Sequence, residues 1–154
     1  MKNTMKNINL PIEGLIQVLN KNSYMIADHL YQLKYFLQHN ITHYLQYVHF
    51  KDSTYCKNLV YKNHLFEMLI ICWKPRQASG IHKHPKNGCI MKILEGTLVE
   101  ERHSPINITT RTYKKNDILF IKDKSEHVIK NISHTRNLIT LHIYSPPNFY
   151  KSKI

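Results

Sequence analysis

A β-sandwich or barrel carrying a helical amino-terminal part is the fold class predicted by three observations. Up to about residue 50, apolar residues recur at the spacing of helix faces. Beyond it, short runs rich in β-branched and aromatic residues alternate with polar turns roughly every eight to twelve residues. At 154 residues, the chain is long enough to bury a single core without a second domain. The expected organisation is therefore one domain over 1–154, with a helical part over 1–50 and a β core over 51–147.

In chain order, Pro11 suits a first helical position, and Ile12, Leu15, Ile16 and Leu19 make one helix face before Asn20-Lys-Asn-Ser closes it. A second helix is expected from Tyr24 to about Gln38, where Ile26, Leu30, Leu33 and Leu37 form a stripe, and a third from Ile41 to Val48. His29, His39, His43 and His49 show no ligand spacing and read as surface or packing residues. Tyr55-Cys-Lys-Asn-Leu-Val begins the β-rich half, with Tyr55 and Lys57 sharing a strand face. Leu65 to Trp73 is almost unbroken apolar sequence, the pattern of a strand buried on both faces, interrupted by Glu67. Cys89–Leu94 and Thr97–Arg102 are expected to form a hairpin through Glu95-Gly96, with further strands at Ile106–Tyr113, Ile118–Ile121, His127–Ile132 and Leu138–Tyr144.

The net charge of +12 raises the question of nucleic acid or an anionic membrane as partner. Lys and Arg are scattered along the whole chain, with no basic arm, zinc-finger spacing or RNA-binding motif, so the charge reads as a solvated surface. No apolar run is long enough to span a bilayer, and Met1-Lys-Asn-Thr-Met-Lys-Asn lacks the apolar core of a secretory signal. Three cysteines, Cys56, Cys72 and Cys89, suit a reducing compartment better than a disulfide framework. A soluble, cytoplasmic protein is the expectation.

Chemistry concentrates in Gly80-Ile-His-Lys-His-Pro-Lys-Asn-Gly-Cys-Ile-Met-Lys-Ile-Leu-Glu-Gly96. In an extended segment His82 and His84 project to the same face, which makes half a metal site at one end of the expected hairpin. Near the carboxyl end, Thr140, His142 and Tyr144 alternate with Leu141 and Ile143, so a polar file faces one side of a strand and an apolar pair the other.

The spacing from His82-x-His84 through Cys89 to Gly96 resembles the first motif of the cupin superfamily, with cysteine where most cupins carry glutamate. Among cupins it resembles the cysteine dioxygenases. Asn116-Asp-Ile-Leu-Phe-Ile-Lys-Asp-Lys-Ser-Glu-His127-Val-Ile-Lys-Asn131 resembles the second motif, although Asn116, Lys122 and Lys124 stand where Gly, Pro and Gly are common. Arg76 likewise replaces a usual Gly of the first motif; these are turn positions, where glycine serves conformation and not chemistry. Tyr55-Cys-Lys57-Asn-Leu is similar to the family's Tyr-x-Arg-Asn-Leu, and Thr140-x-His142-x-Tyr144 before Ser-Pro-Pro to its Ser-x-His-x-Tyr. The resemblance runs from about Tyr55 to Pro147.

This resemblance implies a jelly-roll cupin with His82, His84 and His127 as ligands of an iron(II) ion. It implies Tyr144, His142 and Cys89 as catalytic residues, with a thioether cross-link between Cys89 and Tyr144, and Tyr55 and Lys57 as the grip on a substrate carboxylate. Lysine keeps the charge of the family's arginine but lacks its planar fork. The implied reaction is oxidation of L-cysteine by dioxygen to cysteine sulfinic acid, a step of cysteine catabolism, in a monomer that needs neither membrane nor nucleic acid. Three readings stand beside it: zinc closed by Cys89 as a fourth ligand, a dioxygenase for 3-mercaptopropionate or cysteamine, and a non-enzymatic basic cupin binding nucleic acid or protein.

Overall fold

Pro11 closes a short strand, β1 (Asn9–Pro11), and α1 (Ile12–Lys21) starts directly after it. Proline thus sits one residue before the helix instead of opening it, where its missing N–H costs no ladder bond. These positions come from a computed structural model, which describes residues 8–122 and 124–148. Ile12, Leu15 and Leu19 are fully buried, as their spacing predicts, and Asn22 ends the helix by donating through Nδ2 to the Val18 carbonyl at 2.8 Å.

The second expected helix is broken into α2 (Ser23–Asp28), a 3-10 turn (Leu30–Leu33) and α3 (Lys34–Leu37). His29, at φ −137° and ψ 41°, leaves the helical region. Ser, Tyr, Asp and His are indifferent helix formers, so packing decides the path, and Ile26, Leu30, Leu33 and Leu37 all remain buried. The third expected helix does not form. Asn40–Thr42 is a strand, β2, parallel to β1, and only Leu45–Tyr47 makes a 3-10 turn. The β-branched pair Ile41-Thr42 suits extended backbone, and His43, at φ 59°, then breaks the chain direction.

The second half supplies β3 (Cys56–Lys62), β4 (Glu67–Trp73), β5 (Gly88–Glu95), β6 (Thr97–His103), β7 (Ile108–Lys114), β8 (Ile118–Ile121), β9 (Glu126–Lys130) and β10 (Leu138–Ser145). They form a five-stranded sheet in the order β3-β4-β10-β5-β8 and a three-stranded sheet in the order β7-β6-β9, the two layers of a jelly-roll sandwich. The expected hairpin of β5 and β6 is overturned. β5 pairs with β10 and β8, whereas β6 pairs with β7 and β9, so the chain changes sheets at Gly96. Gly96 has φ +87°, and a Cβ there would stand 2.4 Å from the Asn137 carbonyl oxygen, so only glycine fits the crossing. At two of the positions where cupins usually carry glycine, Arg76 and Asn116 adopt φ 67° and 75°: the turn conformation survives without the glycine.

β4 is buried along its whole length because both its faces are covered. Met68, Ile70 and Cys72 pack with Ile90, Leu141 and Ile143 against the helical segment, while Leu69, Ile71 and Trp73 face Met91, Ile93 and Ile129 between the sheets. Glu67 is also buried, directly opposite Tyr144 of β10. On the helix side, Lys92 is 1% exposed and donates through Nζ to the carbonyls of Leu37 and His39, both at 2.6 Å. It ties the end of α3 to the middle of the sheet.

Candidate metal centre and pocket

His82 and His84 lie on the extended segment between β4 and β5, and His127 lies on β9 of the opposite sheet. An antiparallel bridge between His82 and His127 joins them, and a second, Ala78 to Lys130, pairs the same two segments. The His82 N–H donates to the His127 carbonyl at 3.1 Å, and the His127 N–H returns to the His82 carbonyl at 3.2 Å. That bridge brings the two cupin-like motifs together. Nε2 of His127 then stands 2.9 Å from Nε2 of His82 and 2.9 Å from Nε2 of His84, and all three ligand atoms lie within 4.8 Å of one another.

The outer nitrogens decide what those contacts are. Nδ1 of His82 meets the Gly80 carbonyl at 2.9 Å, Nδ1 of His84 the Ser125 carbonyl at 3.2 Å, and Nδ1 of His127 a Glu100 carboxylate oxygen at 2.9 Å. These oxygens only accept, so in each neutral ring Nδ1 carries the hydrogen and Nε2 carries a lone pair. Three lone pairs then converge with no proton among them, an arrangement that repels unless a cation stands between them. Two nitrogens each ~2.1 Å from a metal are ~3.0 Å apart when their bonds meet at right angles and ~3.4 Å apart in a tetrahedron. The two observed separations of 2.9 Å are close to the first of these spacings, so His82, His84 and His127 would hold one divalent transition-metal ion between them. Burial, then the neighbouring imidazoles, push His84 down to about 3, which keeps it a neutral ligand.

Glu100 was not singled out by sequence reasoning. It is fully buried and accepts from His127 Nδ1, from Arg102 Nε at 2.9 Å and from the Tyr113 hydroxyl at 3.2 Å. Burial pushes its carboxyl up, but the hydrogen bond from His127 and the Arg102 charge outweigh this and hold it below the usual range. Period-two alternation, which puts Leu98, Glu100 and Arg102 on one strand face, was the available signal.

A second constellation faces the histidines from the other sheet. His142 is buried, with Nε2 2.7 Å from the Thr140 hydroxyl and Nδ1 2.9 Å from the Tyr144 hydroxyl. Trp73 donates through Nε1 to Thr140 Oγ1 at 3.1 Å. An indole N–H only donates, so Thr140 accepts there, and its one hydrogen goes to His142 Nε2 at 2.7 Å in preference to the Ile71 carbonyl at 3.4 Å. His142 then carries its hydrogen on Nδ1 and donates to the Tyr144 oxygen. Tyr144 keeps its own O–H for donation. Burial and the surrounding positive groups hold His142 well below its ordinary range, so it stays neutral.

Cys89 is opposite Tyr144 across β5 and β10, and the Tyr144 hydroxyl hydrogen-bonds its sulfur. Burial nevertheless pushes the Cys89 thiol far up. Cys89 is outside the group of three histidines that could hold a metal, so the four-ligand zinc reading loses its fourth ligand. Tyr55, Lys57, Trp73, His82, His142 and Tyr144 line a cavity of about 200 Å³. Tyr55 stacks on Trp73 with ring centroids 4.4 Å apart, and the Lys57 ammonium lies 5.8 Å from the Tyr55 ring centre. Burial of Lys57 against this wall lowers its pKa, partly offset by the Glu67 charge. Of the eight predicted site residues, Tyr55, Lys57, His82, His142 and Tyr144 line this cavity, His84 and His127 cluster with His82, and Cys89 lies opposite Tyr144 on the neighbouring strand.

A family model described as cysteine dioxygenase type I matches residues 9–152. Cysteine dioxygenase type 1 of Rattus norvegicus is 34% identical over 111 residues, covering 66% of this chain and 56% of the relative. The Homo sapiens protein of that name is 33% identical over 116 residues, 69% of this chain and 58% of its own. That of Danio rerio is 29% identical over 147 residues, 88% of this chain and 73% of its own. The chain thus spans a little over half the length of the rat and human relatives. Among solved structures, a Klebsiella pneumoniae protein with a double-stranded β-helix domain superposes with TM-score 0.62 at 18% identity, covering 70% of this chain and 85% of that one. A cupin superfamily protein of Desulfitobacterium hafniense gives 0.55 at 10%, covering 64% and 83%. Both likenesses concern the fold.

Proposed function

The chain belongs to the cysteine dioxygenase type I family, and from that premise we propose that it is a non-haem iron enzyme oxidising L-cysteine with dioxygen to cysteine sulfinic acid. The observation that carries this reading is the set of three Nε2 lone pairs converging across the pocket from the Trp73-Thr140-His142-Tyr144 chain of hydrogen bonds. When bound, iron(II) at His82, His84 and His127 would supply the centre at which the thiol meets dioxygen, and both oxygen atoms pass to sulfur. One thiol and one O2 give one sulfinic acid, so no external reductant is consumed.

This chain's residues have defined tasks in that reading. Lys57 holds the substrate carboxylate, and Tyr55, braced on Trp73, forms the wall beside it. Tyr144, whose O–H meets the Cys89 sulfur in the structure, would turn that hydrogen toward the reacting groups when substrate binds, while His142 donates to its oxygen. The Glu100 carboxylate holds the His127 ring in the tautomer a ligand needs. A thioether between Cys89 and Tyr144 would fix the phenol ring and remove a thiol that competes with substrate. Thr140 does the work of the family's serine through its hydroxyl.

Lys57 also supports a second reading within the same chemistry, a thiol dioxygenase for another small carboxylate such as 3-mercaptopropionate. Cysteamine, which carries only a positive charge, fits a cationic pocket less well. The test is oxygen uptake by iron(II)-loaded protein under air with each thiol, with product mass read from the same tube. Uptake matched by a product two oxygens heavier than cysteine supports the proposal. Turnover of another thiol alone moves the substrate assignment. No uptake with any of them, in protein holding iron, favours a non-enzymatic basic cupin, whose binding to nucleic acid would fall steeply with salt.

A further inference from the structure

Cys56 and Cys72 are directly opposed on the antiparallel pair β3 and β4. Opposed residues in such a ladder have Cα atoms about 4.5–5.5 Å apart, inside the roughly 4.4–6.8 Å that a disulfide spans. One side chain, Asn58, touches both sulfurs: its Oδ1 accepts from Cys56 Sγ at 3.4 Å and its Nδ2 donates to Cys72 Sγ at 3.6 Å. Both thiols are reduced and buried, but Cys56 retains 6% exposure, against none for Cys72. β3 is also an edge strand, and the residues that lead into it, 51–54, are exposed. Cys56 is therefore reached by opening one end of an edge strand, without unfolding the core.

The position of the pair gives it a consequence. Tyr55 and Lys57 flank Cys56, Ile71 and Trp73 flank Cys72, and all four line the cavity beside the three histidines. Side chains alternate along a strand, so the two sulfurs lie immediately behind the wall that those four residues form.

We propose that Cys56 and Cys72 are a covalent modification site, a reversible cross-strand disulfide formed by exchange with small-molecule disulfides and fixing the wall of the pocket. The Cys56 thiolate attacks the disulfide RSSR, giving a Cys56–SR mixed disulfide and releasing one RS⁻. Cys72 then loses its proton and attacks the Cys56 sulfur, releasing the second RS⁻. The two protein thiols are oxidised by two electrons, RSSR is reduced to two thiols, and the two protons leave with them. Burial raises Cys72 to about 11, which assigns it the second, intramolecular attack, where proximity compensates for a small thiolate fraction.

The test treats the folded, full-length protein with bis(2-hydroxyethyl) disulfide in buffer without denaturant, quenches with an alkylating agent, and maps peptides by mass without reductant. The expected result is loss of two of the three thiols and one linked peptide pair containing Cys56 and Cys72, lighter by two hydrogens and restored by dithiothreitol. Trp73, the single tryptophan, adjoins Cys72, and its emission should fall as the disulfide forms and recover on reduction. Cys72→Ser should stop at a mixed disulfide on Cys56, and Cys56→Ser should leave Cys72 unmodified. Three intact thiols in wild-type protein shown to be folded, or a cross-link that includes Cys89, would overturn the proposal. The wild-type result needs no variant to fold, and it stands or falls independently of any dioxygenase activity.

Discussion

Replacing Glu100 by Ala should weaken metal binding without removing a single ligand. The carboxylate has three donors, but they are not equivalent: the Arg102 side chain is 34% exposed and can turn to water, whereas His127 is fully buried and cannot. An unpaired buried N–H costs about 1–3 kcal/mol. The imidazole escapes that cost by moving its hydrogen to Nε2, which points it into the cluster and takes away the lone pair a metal needs. Loss of such an outer partner lowers metal affinity about 10–100-fold, or about 1.4–2.8 kcal/mol, which matches the cost worked from burial. Glu100→Gln keeps an acceptor oxygen but loses the charge, so it should fall between wild type and Ala. The assay is anaerobic competition for iron(II) against a chromogenic chelator, with the cobalt(II) absorption spectrum as a separate reading of ligation. An Ala variant that is folded, binds iron within a factor of two of wild type and keeps its cobalt spectrum would refute the reasoning.

Three further outcomes are expected. Thr140→Val should leave iron affinity unchanged and lower kcat, because Trp73 Nε1 and His142 Nε2 lose their shared partner; the two stranded groups should also cost about 1–3 kcal/mol in urea unfolding. Lys57→Arg should lower KM for L-cysteine about tenfold relative to wild type, since a forked guanidinium meets a carboxylate through two hydrogen bonds; an unchanged KM would remove Lys57 from the substrate site. Burial pulls Lys92 down to about 8, while in the unfolded chain a lysine titrates near ~10.4. Between those values the unfolded chain binds more protons, so stability should rise with pH through that window, by up to about 3 kcal/mol, and stay flat below it. Chemical denaturation across pH 7 to 10.5 compares wild type with Lys92→Met, in which that rise should be absent; identical slopes would count against the burial argument (range set by ~8 and ~10.4).

Much of the site was legible because its chemistry is carried by local spacing. Two positions apart is one strand face, so His82 with His84, Tyr55 with Lys57, and Thr140, His142 and Tyr144 could be grouped without knowing where their strands lie. Glu100 escaped because charged residues on strands are usually solvated, and only the pairing of β6 with β9 shows that this one has His127 beside it. Lys92 and Trp73 escaped for the same reason: their partners, the Leu37 and His39 carbonyls and the Thr140 hydroxyl, are 55, 53 and 67 residues away. The fold class followed from the change of periodicity near residue 50, but helix-like spacing over Ile41–Val48 misled, since β2 is held by its parallel pairing with β1.

The Cys89–Gly96–Arg102 region divides the two kinds of information. Its two strands and the glycine between them were legible in the sequence itself, as two β-rich runs either side of a glycine whose place a Cβ-bearing residue cannot take. Whether those strands pair with each other or separate into two sheets was decided only by the tertiary structure. A strand's hydrogen bonds can be satisfied by any neighbour in register, and the choice depends on which distant strands bury both of its faces. Between the two layers, His82, bridged to His127 of one sheet, lines the same cavity as His142 and Tyr144 of the other.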